Sequence, residues 1–257
     1  MNYYISEKSI IGTREEQQDN CCFRATDNAV FAVVCDGMGG TAGGAAASRI
    51  AMEKLKELYE SKDIAEAFPD FFLRTIDILD ESVVKLQKES LETSGAGTTI
   101  AAVAIENKNL YWLSIGDSRL YILRGNEIVQ VTRDHNFALS LEQLTESERQ
   151  EVLNKQGGKH RSDALISFIG IGGVKIYDIN ESGFRLQDGD KILLTTDGLT
   201  KLVEDTEILT TLKNSLPKES LKNLFDTATK KTTESQDNTT CVLIQIRNEE
   251  EFLNGGK

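Results

Sequence analysis

The chain has 257 residues, of which 41 are acidic and 29 are basic, so its formal net charge at pH 7 is −12. An acidic chain without a Lys/Arg cluster is a poor candidate for binding nucleic acid or an anionic membrane surface. Hydrophobic residues make up 39% of the sequence, which allows a sizeable core and argues against global disorder.

The predicted elements begin with an apolar strand over residues 30–35, followed by two amphipathic helices. Apolar residues recur at three- and four-residue spacing over residues 44–60 and again over residues 63–90, which is the pattern of a helix that buries one face. The buried faces are expected to comprise Ala47, Ala51, Leu55 and Leu58 in the first helix, and Phe68, Phe72, Ile76, Leu79, Val83 and Leu86 in the second.

Four strands rich in β-branched and aromatic residues are expected next, over residues 98–105, 110–115, 119–123 and 127–131. The links between them are the turn dipeptides Asn107-Lys108, Asp117-Ser118 and Gly125-Asn126. Links this short predict antiparallel pairing of successive strands, because a parallel crossover needs about a dozen residues or more. A polar insertion at about residues 136–164, with a helix over 141–153, then precedes two further strands at residues 191–195 and 240–246.

Several of these strands are apolar on both faces, whereas a strand with one solvated face would alternate. Both faces should therefore be covered, one by a second sheet and the other by helices. The sequence predicts an α+β fold, a four-layer α-β-β-α sandwich of two antiparallel sheets flanked by helices. We expect residues 1–247 to form a single domain with a flap-like insertion at 136–164, and residues 248–257 to form a short acidic tail.

Aspartates stand at the ends of the apolar β segments, and three of them have a neighbouring glycine: they are Asp19, Asp36, Asp117, Asp197 and Asp237. Any one of them could be an ordinary turn residue. Five that converged at one end of a sandwich would repel one another strongly, and few have a Lys or Arg nearby in sequence. Hard divalent cations would balance this charge, and with two histidines and no Cys pairs Mg²⁺ or Mn²⁺ fits better than Zn²⁺.

Two such ions close together activate a water for in-line attack on phosphorus. Arg14, just upstream of Asp19, could hold the substrate phosphate with a bidentate fork, although it could equally pair with Glu15 or Glu16 at the surface. The glycine-rich stretch at residues 36–44 resembles the setting of a dinucleotide-binding loop, but the expected β-α-β unit does not follow it. Cys35 adjoins this region without the surroundings of a thiolate nucleophile.

Short strings that contain these residues lie along the chain in the order Arg14-Glu15-Glu16-Gln17-Gln18-Asp19-Asn20, Asp36-Gly37-Met38-Gly39-Gly40, Gly97-Thr98-Thr99, Gly116-Asp117-Ser118-Arg119, Thr132-Arg133-Asp134-His135, Thr196-Asp197-Gly198-Leu199 and Asp237-Asn238-Thr239-Thr240. Over about residues 4–246, this ordered series resembles the motifs of bacterial protein phosphatases of the 2C type, the PPM family. The resemblance implies hydrolysis of phosphoserine and phosphothreonine on proteins, dependent on Mg²⁺ or Mn²⁺.

The resemblance also implies a role for each matching residue. Asp36 would bridge two metal ions, with Asp197 and Asp237 on the first and the Gly37 carbonyl and Asp19 on the second. Asp117 with Asp197 would form a third, weaker metal site, and Arg14 would bind the phosphate. We therefore predict Arg14 and Asp36 as catalytic residues and a two-ion core site for Mn²⁺ or Mg²⁺.

The chain departs from the family pattern at three places, of which the first bears on the leaving group and the other two on substrate docking more than on metal chemistry. Thr41 replaces a histidine, Gln17 replaces an asparagine, and residues 167–170 replace a Thr-Arg-x-x-Gly string. Met38 stands where eukaryotic relatives place a general-acid histidine, so metal-bound water is expected to protonate the leaving group. Of the two histidines, His135 is expected to be a structural hydrogen-bonding residue and His160 to be exposed.

We expect the partners to be phosphoprotein substrates, those of a bacterial Ser/Thr kinase, and the enzyme to be a monomer. The N-terminus lacks a signal peptide and no apolar run approaches the ~20 residues that span a bilayer, so a cytoplasmic location with no membrane partner is predicted. The insertion at 136–164 is the candidate for substrate selection. The alternatives are a catalytically weak binding or sensing module and a hydrolase of small phosphoesters.

Overall fold

A computed structural model describes residues 3–142, 144–155, 162–213, 215–232 and 235–247. The strands are β1 (Tyr3–Ile10), β2 (Asn20–Ala25), β3 (Ala29–Cys35), β4 (Gly37–Met38), β5 (Gly97–Thr98), β6 (Ile100–Glu106), β7 (Asn109–Ile115), β8 (Arg119–Arg124), β9 (Glu127–Gln130), β10 (Asp178–Ile179), β11 (Phe184–Arg185), β12 (Lys191–Thr195) and β13 (Thr239–Ile246). The helices are α1 (Thr41–Glu60), α2 (Phe68–Gln87), α3 (Glu146–Lys155), α4 (Asp197–Thr200), α5 (Asp205–Leu212) and α6 (Pro217–Lys231), with a 3₁₀ turn at Leu139–Leu141.

The strands form two main antiparallel sheets. The first has the order β1-β13-β12-β8-β9, and the second has the order β10-β7-β6-β3-β2, with β11 also paired to β7. The first and last strands of the chain pair along their whole length, from Tyr3 opposite Ile246 to Ile10 opposite Thr239. The short strands β4 and β5 form a separate ladder beside the second sheet.

The alternation of side chains in β3 shows how the layers are built. Val30, Ala32 and Val34 are fully buried between the two sheets, whereas Phe31, Val33 and Cys35 pack with α1 and α2 on the other face. The outer face of the first sheet packs against α5 and α6 through Leu193, Leu243, Leu221, Leu224 and Phe225. The predicted α-β-β-α sandwich is therefore confirmed, and both faces of its sheets are dry.

The two predicted N-terminal helices are present, the first slightly longer and the second shorter than predicted. Helix α1 begins at Thr41, three residues before the predicted start. Helix α2 begins at Phe68 and has Pro69 in its first turn. Proline suits this position, because the N–H groups of the first turn have no partner within the helix and proline has no N–H. The predicted inward faces are confirmed, since every named residue is buried except Leu58, which is partly buried against the same cluster.

The link between β7 and β8 corrects one sequence prediction. These strands do not pair with each other: β7 pairs with β6 in the second sheet, and β8 pairs with β12 in the first. Gly116, at φ +100°, turns the chain from one sheet to the other, and a Cβ there would lie 2.6 Å from a Thr99 methyl carbon. Its N–H donates to His135 Nδ1 (3.2 Å) and its carbonyl accepts from the His135 N–H (2.9 Å), so neither group is available for a hairpin.

The polar insertion leaves the sandwich next to this corner. Its two ends lie side by side, because the N–H of Phe137 donates to the Ala164 carbonyl (2.8 Å) and that of Ala138 to the Ser162 carbonyl (3.0 Å). Helix α3 begins at Glu146, five residues after the predicted start. His160 and the tail at 248–257 fall outside the described residues. Within the described ranges, no helix has the length and apolar character needed to cross a bilayer.

Candidate metal centre and active-site cavity

The five predicted aspartates come from five separate segments. Asp19 precedes β2, Asp36 follows β3, and Asp117 lies in the β7–β8 link, while Asp197 opens α4 after β12 and Asp237 precedes β13. A cavity of about 740 Å³ at this end of the sandwich is lined by Asp36, Asp117, Asp197 and Asp237, together with Arg14 and Gly37. Asp19 is 4% exposed and lies beneath them.

The electrostatics show that these carboxylates are close to one another. Burial raises the pKa of Asp36 well above its ordinary value, and repulsion from Asp19, Asp197, Asp117 and Asp237 raises it further. Burial raises the pKa of Asp19 to about 7, although a hydrogen bond from Thr196 opposes the rise. The pKa of Asp117 also rises to about 7, because of burial and then of repulsion by Asp197. Without cations, the folded chain therefore disfavours the ionised forms of Asp19, Asp36 and Asp117.

The hydrogen bonds leave carboxylate oxygens available to a ligand. Asp19 Oδ2 accepts from Thr196 Oγ1 at 2.9 Å, and Asp197 Oδ2 contacts Lys201 Nζ. The second oxygen of each, Oδ1, is buried and has no hydrogen-bond partner among the described residues. A buried acceptor without a partner is costly, about 1–3 kcal/mol and more for a charged group. Carboxylate oxygens of this kind fit hard divalent cations.

The carboxylates converge on the cavity without forming a closed shell. Across the described part of the chain, no three acidic, His or Cys side chains stand together in an arrangement that could hold an ion as placed. Arg14 and Lys201 instead contact two of the acids. The donor atoms match Mg²⁺ or Mn²⁺ in kind, and binding would require Arg14, Lys201 or the carboxylates themselves to move.

Gly37 and the carbonyl of Asp36 are fixed by neighbouring backbone. The Asp36 carbonyl accepts from the Thr99 N–H and from Thr98 Oγ1, both at 2.9 Å. A Cβ on Gly37 would collide with the Gly44 carbonyl of α1, so only glycine fits between β3 and the start of that helix. This packing places Asp36 and Gly37 together in the wall of the cavity.

Arg14 pairs with a distant aspartate rather than with Glu15 or Glu16. Its Nη2 lies 2.9 Å from Asp237 Oδ2, and its side chain is 59% exposed. Asn238 holds the segment that carries Arg14: it accepts from the Gln18 N–H (2.8 Å) and donates to the carbonyls of Ile11 (2.8 Å) and Glu16 (3.0 Å). Asn238 was not among the predicted site residues, although it stands beside the predicted ligand Asp237.

Lys201 is a second cation at the site, and it was not among the predicted site residues. It follows Asp197 by four positions, the spacing that places two side chains on the same face of a helical turn. Its ammonium contacts Asp197 Oδ2 and lies 3.7 Å from Asp237 Oδ2. Burial lowers the pKa of Lys201, but the charges of Asp197, Asp237 and Asp117 outweigh this and raise it.

The loop that departs from the family pattern forms one wall of the cavity. Ile169 exchanges backbone hydrogen bonds with Thr98 at 3.0 and 2.9 Å, and Phe168 lies over Gly97 beside Met38. Asp80 of α2, which is buried, anchors the far end of this loop. Its Oδ1 accepts from the N–H groups of Gly170 (2.7 Å) and Gly172 (3.3 Å), and its Oδ2 accepts from that of Gly173 (2.6 Å).

Comparison with known families identifies the chain. A family model described as protein phosphatase 2C matches residues 8–243. The chain belongs to the protein phosphatase 2C family. Among curated relatives of this phosphatase, the serine/threonine phosphatase stp of Listeria monocytogenes is 28% identical over 236 residues, covering 90% of this chain and 91% of the relative. Protein phosphatase PhpP of Streptococcus pneumoniae is 28% identical over 190 residues, covering 72% and 73%.

Solved structures agree with the architecture. The serine/threonine phosphatase of S. agalactiae superposes with a TM-score of 0.82 at 27% identity, covering 95% of this chain and 100% of that one. The catalytic domain of PstP, solved in complex with two manganese ions, gives a TM-score of 0.74 at 25% identity, covering 96% and 99%. The predicted family, sandwich fold and enzyme class, a serine/threonine protein phosphatase, are thereby confirmed.

Proposed function

We propose that this phosphatase is metal-dependent and hydrolyses phosphoserine and phosphothreonine on proteins by direct attack of water, without a phosphoenzyme. The observation that carries the proposal is that Asp36, Asp117, Asp197 and Asp237 line one cavity, with Asp19 buried next to them. Asp19 and Asp197 each have a buried oxygen without a hydrogen-bond partner among the described residues. Support for two ions comes from the PstP relative, whose structure contains two manganese ions. When bound, such a pair supplies a water of lowered pKa held for in-line attack.

The chain's own residues would divide the work as follows. Asp36, which is buried and is repelled by Asp19, Asp197, Asp117 and Asp237, would hold both ions, because two cations offer its charge the greatest compensation. Asp197 and Asp237 would hold the first ion, and Gly37 through its carbonyl, with Asp19, the second.

Arg14 would bind the substrate phosphate. It lines the cavity beside Asp237 and is more than half exposed, so its guanidinium can exchange this carboxylate for a phosphate without leaving the site. A planar fork of N–H donors matches two phosphate oxygens. Asn238 would keep the Arg14 segment in register with Asp237 during this exchange.

The insertion at 136–164 would select among phosphoproteins. Its C-terminal base contributes Asp163 to the cavity, and Leu165 and Phe168 follow directly in the same wall. We expect the substrates to be those of a bacterial Ser/Thr kinase, encountered in the cytoplasm by a monomeric enzyme. Exchange of this insertion for that of another family member should change peptide preference and leave p-nitrophenyl phosphate turnover in place; an unchanged preference would refute this role.

The main test is turnover of p-nitrophenyl phosphate by the purified protein with Mn²⁺ or Mg²⁺, with EDTA, and by the variants Asp36→Asn and Asp77→Asn. Asp77 is an exposed aspartate on α2, so its variant controls for the loss of one acidic charge. We expect turnover that requires added metal, is abolished in Asp36→Asn and is retained in Asp77→Asn. Absence of metal-dependent turnover by the wild type would instead indicate a binding or sensing module.

A second measurement fixes the substrate class. The rate on a phosphothreonine peptide is compared with the rates on free small-molecule phosphates at matched concentrations. We expect higher kcat/KM for the peptide, because Asp163, Leu165 and Phe168 line the cavity and could contact peptide residues on either side of the phosphate. A preference for free phosphates would indicate a hydrolase of small phosphoesters.

A further inference from the structure

The corner of the chain that carries Asp117 is held by hydrogen bonds on both sides of that residue. On one side, the Gly116 N–H donates to His135 Nδ1 (3.2 Å) and the Gly116 carbonyl accepts from the His135 N–H (2.9 Å). On the other side, the Ser118 hydroxyl lies 2.7 Å from the Thr99 hydroxyl. Asp117 lines the cavity between these two fixed points, so the direction in which its side chain enters the cavity depends on both contacts.

His135 can accept from Gly116 only if its ring proton is on the other nitrogen. Because Nδ1 accepts a hydrogen bond, it carries no proton, and the proton of the ring is on Nε2. This Nε2 is buried, makes no hydrogen bond within the described part of the chain, and lies 3.4 Å from Asp178 Oδ2. Burial raises the pKa of Asp178, but the contacts of His135 and Arg133 outweigh it and lower the pKa, so Asp178 is ionised at neutral pH.

The position of the Asp178 carboxylate is fixed by backbone and by an arginine. The two residues of β10 place Asp178 beside β7, opposite Ser114 and two positions before Gly116. Arg133 donates to Oδ1 through its Nε (3.0 Å) and to Oδ2 through its backbone N–H (2.8 Å). An ionised acceptor that faces Nε2 favours the proton on that nitrogen, since the partner of one ring nitrogen sets the protonation of the other.

We propose that Asp178 is a positioning residue of this phosphatase, which keeps the ring proton of His135 on Nε2 and thereby fixes the Gly116 backbone and the direction of Asp117. The inference rests on the proposed function, in which Asp117 belongs to the acidic site. Asp178 does not line the cavity, so its effect has to pass through His135. An asparagine at position 178 could donate an amide N–H to Nε2, which would favour a proton on Nδ1 and leave Gly116 without its acceptor.

The test compares Asp178→Asn with Asp190→Asn. Asp190 is a matched control, because it also accepts from an arginine Nε, that of Arg124 (3.0 Å), and from a backbone N–H, that of Gln187 (2.8 Å). It precedes β12, whose other end leads to the cavity residue Asp197. Both substitutions weaken contacts of the same kind, so both variants would share a purely structural effect. Circular dichroism confirms that each variant is folded.

The first measurement locates the ring proton of His135 in metal-free protein, from proton–nitrogen correlations of the imidazole in NMR spectra. The chain has two histidines, so a His160→Gln spectrum identifies the signals of His135. We expect the proton on Nε2 in wild type and in Asp190→Asn, and an increased fraction on Nδ1 in Asp178→Asn.

The second measurement is turnover of p-nitrophenyl phosphate at saturating Mn²⁺. We expect kcat to fall about tenfold or more in Asp178→Asn, the loss typical of removing a group that orients a ligand of a metal site. In Asp190→Asn, kcat should change by less than about twofold. KM should change by less than about twofold in both variants, because Arg14, the proposed phosphate-binding residue, is unaltered.

A third variant, His135→Asn, tests the route. Its side-chain carbonyl can accept from Gly116 without a proton that faces Asp178, so adding Asp178→Asn to it should lower kcat by less than about twofold more. A ring proton on Nδ1 in wild type, or one retained on Nε2 in Asp178→Asn, would overturn the inference and leave the proposed function standing. An equal loss of kcat in Asp190→Asn, or a full further loss in the His135→Asn background, would do the same. Absence of metal-dependent turnover by the wild type would refute the proposed function itself, and the inference with it.

Discussion

Asp80 offers the sharpest test of how the fold positions the cavity wall. Replacing it with Ala removes an acceptor from the N–H groups of Gly170, Gly172 and Gly173. Gly170 is buried, so its N–H would be left without a partner, at about 2–3 kcal/mol for a bond to a charged group. Gly172 and Gly173 are exposed and can regain water, so they should add only about 1 kcal/mol together. We expect Asp80→Ala to lower the free energy of unfolding by about 3–4 kcal/mol.

The assay is urea denaturation, in EDTA and again in Mn²⁺, of Asp80→Ala, Asp80→Asn and Asp77→Ala. Asp80→Asn keeps one accepting oxygen and should lose about half as much stability, whereas the exposed Asp77 should change it by less than about 0.5 kcal/mol. Because the anchored loop carries Phe168 and pairs with Thr98, KM for a phosphothreonine peptide should also rise in Asp80→Ala. A loss no greater than that of Asp77→Ala would refute the hydrogen-bond reasoning, and an unchanged KM would refute the positioning role.

Three further predictions concern the metal-free cluster and Arg14. Burial raises the pKa of Asp19 and Asp117 to about 7, so the folded protein retains protons that the unfolded chain releases above pH 3.8. The free energy of unfolding in EDTA should therefore fall as pH rises from about 4 to 7, by about 1.4 kcal/mol per pH unit for each carboxyl, and urea melts in saturating Mn²⁺ should lose this slope. Arg14→Gln should lower kcat/KM for a phosphopeptide by about ten- to a hundredfold and Arg14→Lys by less, and equal rates in steady-state assays would contradict phosphate binding by Arg14. Asn238→Ala should lower unfolding free energy by about 2–3 kcal/mol and reduce turnover, with the exposed Asn223→Ala as control; unchanged denaturation would show that the three bonds of Asn238 are dispensable.

The layers of the fold could be predicted because their signals are local. The inward face of α2 follows a strict helical spacing, and β3 is apolar at every position because both of its faces are covered. Helices α5 and α6 had no sequence prediction, although α6 carries the same kind of signal: Pro217 in its first turn, and Leu221, Leu224, Phe225 and Ala228 at helical spacing. The apolar face of α6 is short and is interrupted by lysines, so its helical spacing is weaker than that of the two longer helices.

The β7–β8 link could not be predicted from its own residues. Asp117-Ser118 is a good hairpin dipeptide, yet the backbone of Gly116 is bonded by His135, which is nineteen positions away. Packed sheets lie about 10 Å apart, a distance that three extended residues can span, so a short link can lead to the other sheet as well as back along the same one. The contact between Gly116 and His135 decides that the chain crosses to the other sheet instead of forming a hairpin. This crossing brings Asp117 to the cavity.

The acidic residues of the site could be predicted from the sequence, but the cations that pair with them could not. Glycine-flanked aspartates at strand ends gave the positions of Asp36, Asp117 and Asp197, whereas the partners of those acids depend on tertiary contacts. Arg14 meets Asp237 across 223 positions of sequence. Lys201 is nearer, and its four-residue spacing from Asp197 would have been informative if α4 had been recognised as a helical turn.

The pairing of β1 with β13 has a consequence during protein synthesis. The strand ahead of Arg14 leaves the ribosome well before its partner strand and Asp237, which lies 223 positions after Arg14. A nascent chain therefore lacks part of its hydrolytic pocket until β13 has been made and has paired with β1, and we expect a chain terminated before residue 235 to be inactive towards p-nitrophenyl phosphate. Newly made polypeptide would thus become able to remove phosphate only after this late strand has joined the first sheet.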